Sequence, residues 1–389
     1  MENKLTKQEL LIQQATEYYN QGDHSLGYRM LLDAALNTNK SEVYKAALAF
    51  VEIYEKEEND KSKILDDFII CKETINNFSI EDKNIIGQPI LKGISIEKEY
   101  KRGKFKLGPI DIKLHKGDIF GLVGENGNGK TTLLTILASL IEKTSGDLSY
   151  SFLEHSDDIY DLKSKLVYIP QRTSKWYGSV IDNLKFALVH HGVTGEKNHL
   201  LVYMMIARFG LWKYKDLKWS ELSSGYKMRF ELARTMLRKP EIVLLDEPLA
   251  NLDILAQQVI LEDLKMLAKS HVNPIAMIFS SQQLYEVEKV SDEVIYLRNG
   301  KPTDLLGLKT QEENSLIIEL DTTNSREDIE KVFQEYELEQ IEYNGGVYII
   351  YFKDNTITFN NVLSIIASNN FTIQYIRDIS KSTRRFFVY

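Results

Sequence analysis

Apolar residues recur at helical spacing through the first eighty residues of the chain. A capping box at Thr6 and Glu9 predicts where the first helix begins. Polar turns separate three further helical patterns, at residues 25–36, 41–54 and 61–76. The pattern therefore predicts an all-α helical domain over residues 1–80, with a polar linker at about residues 77–88.

The first two helical patterns weakly resemble a tetratricopeptide-type helical hairpin. The positions that carry this resemblance flank a turn at Gly22 and Asp23 and are Ala15, Tyr18, Tyr19, Leu32 and Ala35. A solenoid needs about three repeats to bury its faces, and this region offers at most two. Two interpretations stay open: a small helical bundle docked on its neighbour, or an adaptor surface for a protein partner.

From residue 90 the pattern changes to short apolar runs that are typical of strands. Strands are predicted near residues 95–98, 110–114, 119–123, 242–246, 275–280 and 294–298. Helical patterns lie between them, including one at about residues 181–212. This alternation favours an α/β domain over residues 90–305 with a parallel-strand core. A turn is predicted at residues 299–302, and a second linker at residues 307–314.

The last stretch, residues 315–389, has a pattern of its own. Strands are predicted at residues 316–320, 338–343, 347–352 and 371–376, and helices at residues 325–336 and 359–368. A turn at residues 344–346 joins the two middle strands. The resulting β-α-β-β-α-β order is that of an α+β ferredoxin-like domain. Because it contains no catalytic constellation, we interpret it as a stabilising or docking appendage.

Composition narrows the class of protein. With 389 residues, 43% hydrophobic and 27% charged, the chain has room for two or three globular domains. Its net charge of −8 creates no cationic field, so we expect no nucleic-acid partner. The single cysteine, Cys71, excludes an internal disulfide and is expected to be buried. No apolar run approaches the roughly 18 residues that span a bilayer, and a signal-peptide core is not expected. Any membrane role should therefore come through a partner chain.

The strongest chemical signal is a glycine-rich stretch after the apolar run at residues 119–123. Its glycines and its Lys-Thr pair have phosphate-loop spacing. Glycine leaves backbone N–H groups free to close around phosphate oxygens, while Lys130 supplies charge and the Thr131 hydroxyl can ligate Mg²⁺. A helix predicted at residues 132–140 points its N-terminal dipole at the same anion. The loop residues expected to bind a nucleotide are Gly124, Asn126, Gly127, Gly129, Lys130, Thr131 and Thr132.

A second apolar run, beginning at residue 242, ends in two acids. A strand buried on both faces would deliver Asp246 beside the Mg²⁺, with Glu247 one step further along, where it could polarise an attacking water. The alternative is an ordinary strand end whose acids are merely solvated. The phosphate loop upstream favours the catalytic interpretation.

Together with three further motifs, these stretches resemble the ABC-type ATPases. The sequence Leu-Ser-Ser-Gly-Tyr at residues 222–226 precedes the acidic strand, as the signature of that family does. Gln171, after Tyr-Ile-Pro, looks like the glutamine loop of the family, and residues 250–253 are similar to its aspartate loop. Tyr100 stands where the family places an aromatic ring against the adenine.

The resemblance implies an ABC-type P-loop ATPase domain that forms a head-to-tail homodimer around two ATP molecules. Ser223 and Gly225 would then cap the γ-phosphate of the ATP bound to the opposite subunit, and the Asp253 loop would couple the two sites. The implied metal ligands are Thr131, Gln171 and Asp246, and the implied catalytic residues are Lys130, Glu247 and Gln282.

Two positions depart from the family pattern. The signature has serine and tyrosine, Ser224 and Tyr226, where glycine and glutamine are usual. Gln282 stands where the family has a histidine that contacts the γ-phosphate. Glutamine donates a neutral hydrogen bond but cannot become cationic. We therefore expect hydrolysis through Glu247 to persist but to be slow without a partner.

A ferredoxin-like unit that ends in an apolar segment, here residues 385–389, is similar to the ATPase subunits of bacterial type-two exporters. This resemblance implies an ATP-hydrolysing exporter subunit, held at the cytoplasmic face of the cell membrane by a separate permease. The alternative is a soluble single-cassette ABC ATPase used for assembly or scaffolding without transport. The N-terminal helices are not part of the usual family plan.

Overall fold

The computed structural model describes residues 6–57, 60–78, 86–100, 105–154, 158–270, 273–303, 316–344, 346–353 and 357–380. The chain divides into two compact units, which are described separately. One comprises Met1–Gln282 and Lys289–Lys301, and the other Gln283–Glu288 and Pro302–Tyr389. The second linker, at residues 307–314, and the apolar segment at residues 385–389 lie outside the described residues.

The first unit begins with helices. They are α1 (Lys7–Asn20), α2 (His24–Thr38), α3 (Ser41–Lys56) and α4 (Leu65–Asn76), with a 3-10 turn at Lys61–Ile64. The predicted capping box is confirmed, because Glu9 N donates to the Thr6 hydroxyl and Thr6 N donates to the Glu9 carboxylate. The ring of Tyr19 stacks on that of Phe68, with centroids 4.2 Å apart. Cys71 is buried, as predicted.

Two sheets follow, and all of their residues except Pro302 and Thr303 belong to the same unit. The first is antiparallel, in the order β2-β1-β4, and consists of β1 (Pro89–Glu99), β2 (Lys106–His115) and β4 (Ser145–Tyr150). The second has the order β5-β6-β7-β3-β8-β9. Its strands are β3 (Ile119–Val123), β5 (Leu166–Ile169), β6 (Ile242–Leu245), β7 (Ala276–Ser281), β8 (Glu293–Arg298) and β9 (Lys301–Thr303). The pairs from β5 to β8 are parallel, as predicted, so the carboxyl ends of β3, β6 and β7 meet at one edge.

Helices lie between these strands along the chain. They are α5 (Lys130–Leu137), α6 (Ile159–Lys165), α7 (Val180–Val189), α8 (Gly195–Arg208), α9 (Ser224–Met236) and α10 (Ile254–Ala268). The pattern did not predict β4, β5 or α6. Helix α5 ends before residue 140 because Ser139 takes a left-handed φ of 52°. The predicted turn at residues 299–302 was too long, since Asn299 and Gly300 alone turn the chain and Lys301 begins β9.

A group of charges joins the N-terminal helices to the rest of the unit. Arg208 of α8 is 1% exposed, and its guanidinium lies 2.6 Å from both Asp33 Oδ1 and Asp263 Oδ1. Arg29 of α2 lies 3.0 Å from the same Asp263 oxygen and 2.7 Å from Glu262 Oε2. Burial alone would lower the pKa of Arg208, but Asp33 and Asp263 raise it above its ordinary value. We call these five residues the α2–α10 charge cluster. The N-terminal helices are docked on their neighbour, and an adaptor role stays a prediction.

The second unit contains α11 (Leu284–Glu288), β10 (Ile317–Thr322), α12 (Arg326–Val332), β11 (Leu338–Asn344), β12 (Val347–Phe352), α13 (Phe359–Ser368) and β13 (Ile373–Asp378). The four strands form an antiparallel sheet in the order β11-β12-β10-β13. Ile329 of α12 and Ile366 of α13 share one core with Ile318 and Ile350 of the sheet, so both helices cover the same face. None of the helices in the described part of the chain combines the length and the apolar content that crossing a bilayer requires.

Candidate functional site

A glycine-rich turn joins the buried strand β3 to helix α5. Gly129 caps the helix with a φ of 101°, and a Cβ there would lie 2.6 Å from Leu107 Cδ1 and 2.9 Å from Phe105 Cζ. A Cβ on Gly124 would lie 2.4 Å from the Leu297 carbonyl oxygen. Both positions therefore require glycine, and the turn presents backbone instead of side chains.

Lys130, the first residue of α5, is only 5% exposed. Its ammonium donates to the carbonyl oxygens of Gly124, at 2.6 Å, and Glu125, at 3.3 Å. It also lies 3.2 Å from Glu247 Oε1. That carboxylate oxygen is buried and accepts no hydrogen bond from the described residues. The turn thus holds a buried cation in an ion pair with an acid whose Oε1 atom accepts no hydrogen bond within the described part of the chain.

Thr131 and Asp246 form the second contact across the site. The Thr131 hydroxyl donates to Asp246 Oδ2 over 2.7 Å, although 115 positions separate the two residues. The Tyr168 hydroxyl donates to the same oxygen over 3.3 Å, and Ser280 Oγ donates to Asp246 Oδ1 over 2.7 Å. Burial, and then the charge of Asp246, raise the pKa of Tyr168, so its phenol stays a donor at neutral pH.

The signature stretch lies at the start of α9. Ser223 is its N-cap, and the Ser223 hydroxyl accepts from Tyr226 N. Ser224 Oγ donates to the Asn251 carbonyl over 2.8 Å, which ties this helix start to the loop after the acidic strand. A Cβ on Gly225 would lie 3.2 Å from the Ala256 Cβ, at the start of α10, so α9 and α10 approach closely there.

The remaining predicted residues are mostly exposed. Asn126, Gly127, Gln171 and Gln282 are exposed, and Thr132 is half-buried. Tyr100 is 43% exposed and borders a cavity of about 540 Å³ with Lys98, Glu142, Lys143 and Thr144. No hydrogen bond among the described residues joins Tyr100, Gln171, Ser223 or Gln282 to the Lys130 and Asp246 contacts.

The residues present fit a bound nucleoside triphosphate. Among the described residues, the buried ammonium of Lys130 bonds only to oxygens of its own loop and of Glu247, and phosphate oxygens are a matching alternative. A hydroxyl and a carboxylate 2.7 Å apart are the hard oxygen ligands that Mg²⁺ shares with phosphates.

Sequence reasoning missed three residues of this site. Tyr168 and Ser280 both donate to Asp246, and the Asn128 side chain accepts from Asn299 N over 2.8 Å. A signal for Ser280 was available, because it follows an apolar run that the parallel topology places next to β6. Nothing local in the sequence distinguishes Asn128 from its neighbours in the turn.

Comparison with known proteins agrees with this geometry. Residues 107–250 match the family model described as ABC transporter. An uncharacterised ABC transporter ATP-binding protein of Methanocaldococcus jannaschii is 31% identical over 215 residues, which cover 55% of this chain and 76% of that protein. The phosphate import ATP-binding protein PstB of Saccharolobus solfataricus is 32% identical over 216 residues, covering 52% of this chain and 82% of that protein.

Among solved structures, cbiO1 of Clostridium perfringens, part of an ABC transporter complex, is 23% identical with a TM-score of 0.51. The match covers 56% of this chain and 87% of that one, and at this identity it shows a shared fold alone. The two sequence relatives go further, since each is matched over most of its own length. The phosphate loop, the signature and the acidic strand all lie within the matched residues. The chain therefore belongs to the ABC transporter ATP-binding proteins and is an ATP-hydrolysing cassette of that family.

Proposed function

We propose that this chain is the subunit that drives a separate integral-membrane permease, working as a homodimer that closes around two ATP molecules. The observation that carries the proposal is the meeting of Thr131 with Asp246 and of Lys130 with Glu247, at 2.7 and 3.2 Å. These pairs bring the phosphate loop and the acidic strand into one site. The assignment as a transporter subunit is supported by the relatives, which are named as transporter ATP-binding proteins.

Within this proposal, Mg²⁺ bound to the ATP phosphates neutralises the charge that develops on them. Thr131, Asp246 and Gln171 are the proposed metal ligands. Lys130 would bind phosphate oxygens in place of its loop carbonyls and of Glu247, and Glu247 would then be able to hold the attacking water. Tyr100 borders the cavity that we assign to the adenine. Gln282 replaces the usual histidine near the γ-phosphate, so the isolated chain turns over slowly.

The dimer gives the signature its role. Ser223 is exposed at the N-terminus of the 13-residue helix α9, whose dipole favours an anion. Gly225 adds no side chain that would obstruct a phosphate. We propose that both residues meet the ATP of the opposite subunit. Consistent with this, no hydrogen bond among the described residues links them to the phosphate loop of their own chain.

We further propose three domains. These are a helical domain at residues 1–80, the ATPase domain at residues 90–305 and a ferredoxin-like domain at residues 315–389. The four helices α1–α4 and the β11-β12-β10-β13 strand order support the two outer assignments. The permease would hold the dimer at the cytoplasmic face of the membrane, and the helical domain is free to bind a further protein.

Export is the direction that we propose for transport. It rests on the likeness of the C-terminal element order to type-two exporter subunits, whereas the relative PstB is named for phosphate import. Metabolite profiling of cells lacking the chain distinguishes the two. A compound that accumulates inside those cells indicates export, and a compound that fails to enter them indicates import.

A Glu247→Gln variant tests the ATPase mechanism. It should bind ATP with Mg²⁺ normally, lose about 100-fold or more in turnover, and accumulate as a dimer in size-exclusion chromatography. Glu293→Gln, the same change at the opposite edge of the sheet, is the matched control and should behave as wild type. Full turnover in Glu247→Gln would overturn the assignment.

Affinity purification of the tagged chain from a detergent extract tests the permease. A polytopic membrane protein should co-purify with the wild-type chain. A chain that repeatedly elutes alone, while its ATPase activity is intact, would contradict the transport proposal and favour a scaffolding ATPase.

A further inference from the structure

Ser280 lies between the two acids of the site. It is close to the carboxyl end of β7, and its residue is 0% exposed. The parallel register pairs Leu245 of β6 with Phe279 of β7, so the next residues of the two strands, Asp246 and Ser280, lie side by side. Ser280 Oγ donates to Asp246 Oδ1 over 2.7 Å and accepts from Glu247 N over 2.9 Å. One hydroxyl therefore contacts both acids.

The backbone of Glu247 explains why the second contact matters. Glu247 has a φ of 51°, in the left-handed region that side chains other than glycine rarely adopt. Such a conformation persists only when its surroundings hold it. The Ser280 hydroxyl provides that restraint, because it gives the Glu247 N–H an acceptor. Held in this conformation, the Glu247 carboxylate reaches Lys130 at 3.2 Å.

Tyr168 provides a useful contrast to Ser280. Its hydroxyl donates to Asp246 Oδ2 over 3.3 Å, beside the Thr131 hydroxyl at 2.7 Å. Both Tyr168 and Ser280 thus orient the Asp246 carboxylate, but only Ser280 also holds the Glu247 N–H. Removing each hydroxyl in turn separates the two effects.

We propose that Ser280 is a positioning residue for hydrolysis, fixing the backbone of Glu247 so that its carboxylate faces the phosphate loop. This inference rests on the proposed role of Glu247. Ser280→Ala should lower kcat about 10- to 100-fold, because small displacements of a reacting group cost about that much. The affinity for ATP, measured with a fluorescent ATP analogue and Mg²⁺, should stay within about threefold of wild type. Asp246 keeps its bonds from the Thr131 and Tyr168 hydroxyls, and among the described residues no hydrogen bond joins Ser280 to the phosphate loop.

Three companion variants make the test decisive. Ser280→Thr keeps the hydroxyl and should restore most of the turnover. Tyr168→Phe should lower kcat less than Ser280→Ala does, because it leaves the Glu247 N–H bonded. Ser280→Ala added to Glu247→Gln should lower the residual turnover no more than Tyr168→Phe does in the same background, since the bond to Asp246 is then the only proposed effect of Ser280 that is left to lose. If Ser280→Ala does not fold, Ser280→Cys, of similar volume and with a weak donor, replaces it in each comparison.

The outcomes distinguish this inference from the mechanism beneath it. Equal losses in Ser280→Ala and Tyr168→Phe would overturn the positioning role while leaving the mechanism intact. So would a loss from Ser280→Ala in the Glu247→Gln background that exceeds the loss from Tyr168→Phe in that background. Full turnover in Glu247→Gln alone would instead refute the proposed function.

Discussion

The α2–α10 charge cluster allows a quantitative prediction of how much free energy of unfolding depends on its buried ion pairs, which link the N-terminal helices to the rest of the unit. Asp263 is its centre, with a side chain 2% exposed and one oxygen shared by Arg208 at 2.6 Å and Arg29 at 3.0 Å. An Asp263→Asn change keeps the shape of the side chain and removes its charge. Both arginines then face a neutral amide in a buried place, and one amide oxygen is a weaker acceptor for two guanidinium groups.

The expected loss of folding free energy depends on which acidic partners the two arginines keep. Removing one partner of a buried ion pair costs about 3–5 kcal/mol when the other charge is left alone. Here Arg208 keeps Asp33 and Arg29 keeps Glu262, so we expect the low end, about 3 kcal/mol. In a folding unit of this size, about 2 °C per kcal/mol makes that a fall of about 6 °C in melting temperature.

Glu196→Gln is the matched control. It is also an acid-to-amide change, and the Glu196 pair with Lys45 likewise links an N-terminal helix to α8, but its side chains are 66% and 55% exposed. Exposed pairs contribute about 0–1 kcal/mol, so its melting temperature should hardly change. Urea unfolding monitored by circular dichroism gives the free energies of unfolding, and limited proteolysis reports release of α1–α4. Equal, small losses in the two variants would refute the reasoning.

Three further predictions concern Gly129 of the phosphate loop, the buried Cys71, and Gln282, which stands where the family has a histidine. Gly129→Ala should abolish ATP binding and lower the melting temperature, because the new Cβ would lie 2.6 Å from a side-chain atom. A Cβ at Gly127 would meet nothing within 4 Å, so Gly127→Ala should lower the melting temperature less. Equal effects of the two variants would contradict the steric argument. Cys71, whose pKa burial raises to about 12, should react with iodoacetamide only on unfolding in urea, so rapid labelling of the native protein would show that α4 opens. Gln282→His should raise the turnover of the isolated chain by about tenfold, measured by phosphate release. The neighbouring change Gln283→His should leave the turnover unchanged. An unchanged rate in Gln282→His would show that the Gln282 side chain does not limit turnover.

Much of the fold was accessible from the sequence because its signals are local. The phosphate loop, the buried strands β3, β6 and β7, and the capping box each occupy a few consecutive residues. Strand β4 escaped prediction because its sequence, Ser-Gly-Asp-Leu-Ser-Tyr, alternates between exposed and half-buried positions and has no continuous apolar run. Strand β5 has only four residues, too few for a period to emerge.

In the site, too, some residues are predictable from local sequence signals and others are brought together only by tertiary packing. Lys130, Thr131 and Asp246 could be brought together in advance, because the carboxyl ends of parallel strands share an edge. The exact register that sets Ser280 beside Asp246 depends on how β6 and β7 align, which no local pattern fixes. Arg29 and Asp263 are 234 positions apart, and each reads as an ordinary surface charge on its own helix. Pairings of that kind arise only from tertiary packing.

The bond from Ser224 to the Asn251 carbonyl has a consequence for the proposed dimer. Within one chain it connects the start of α9, which we propose faces the neighbour's nucleotide, to the segment just past that chain's own acids. A shift of that segment during one catalytic cycle would displace the start of α9, and with it the residues proposed to contact the phosphates bound to the other subunit. The two sites would then hydrolyse ATP in a coupled manner, either together or alternately. In a mixed dimer, one inactive subunit should therefore also reduce hydrolysis in the active subunit.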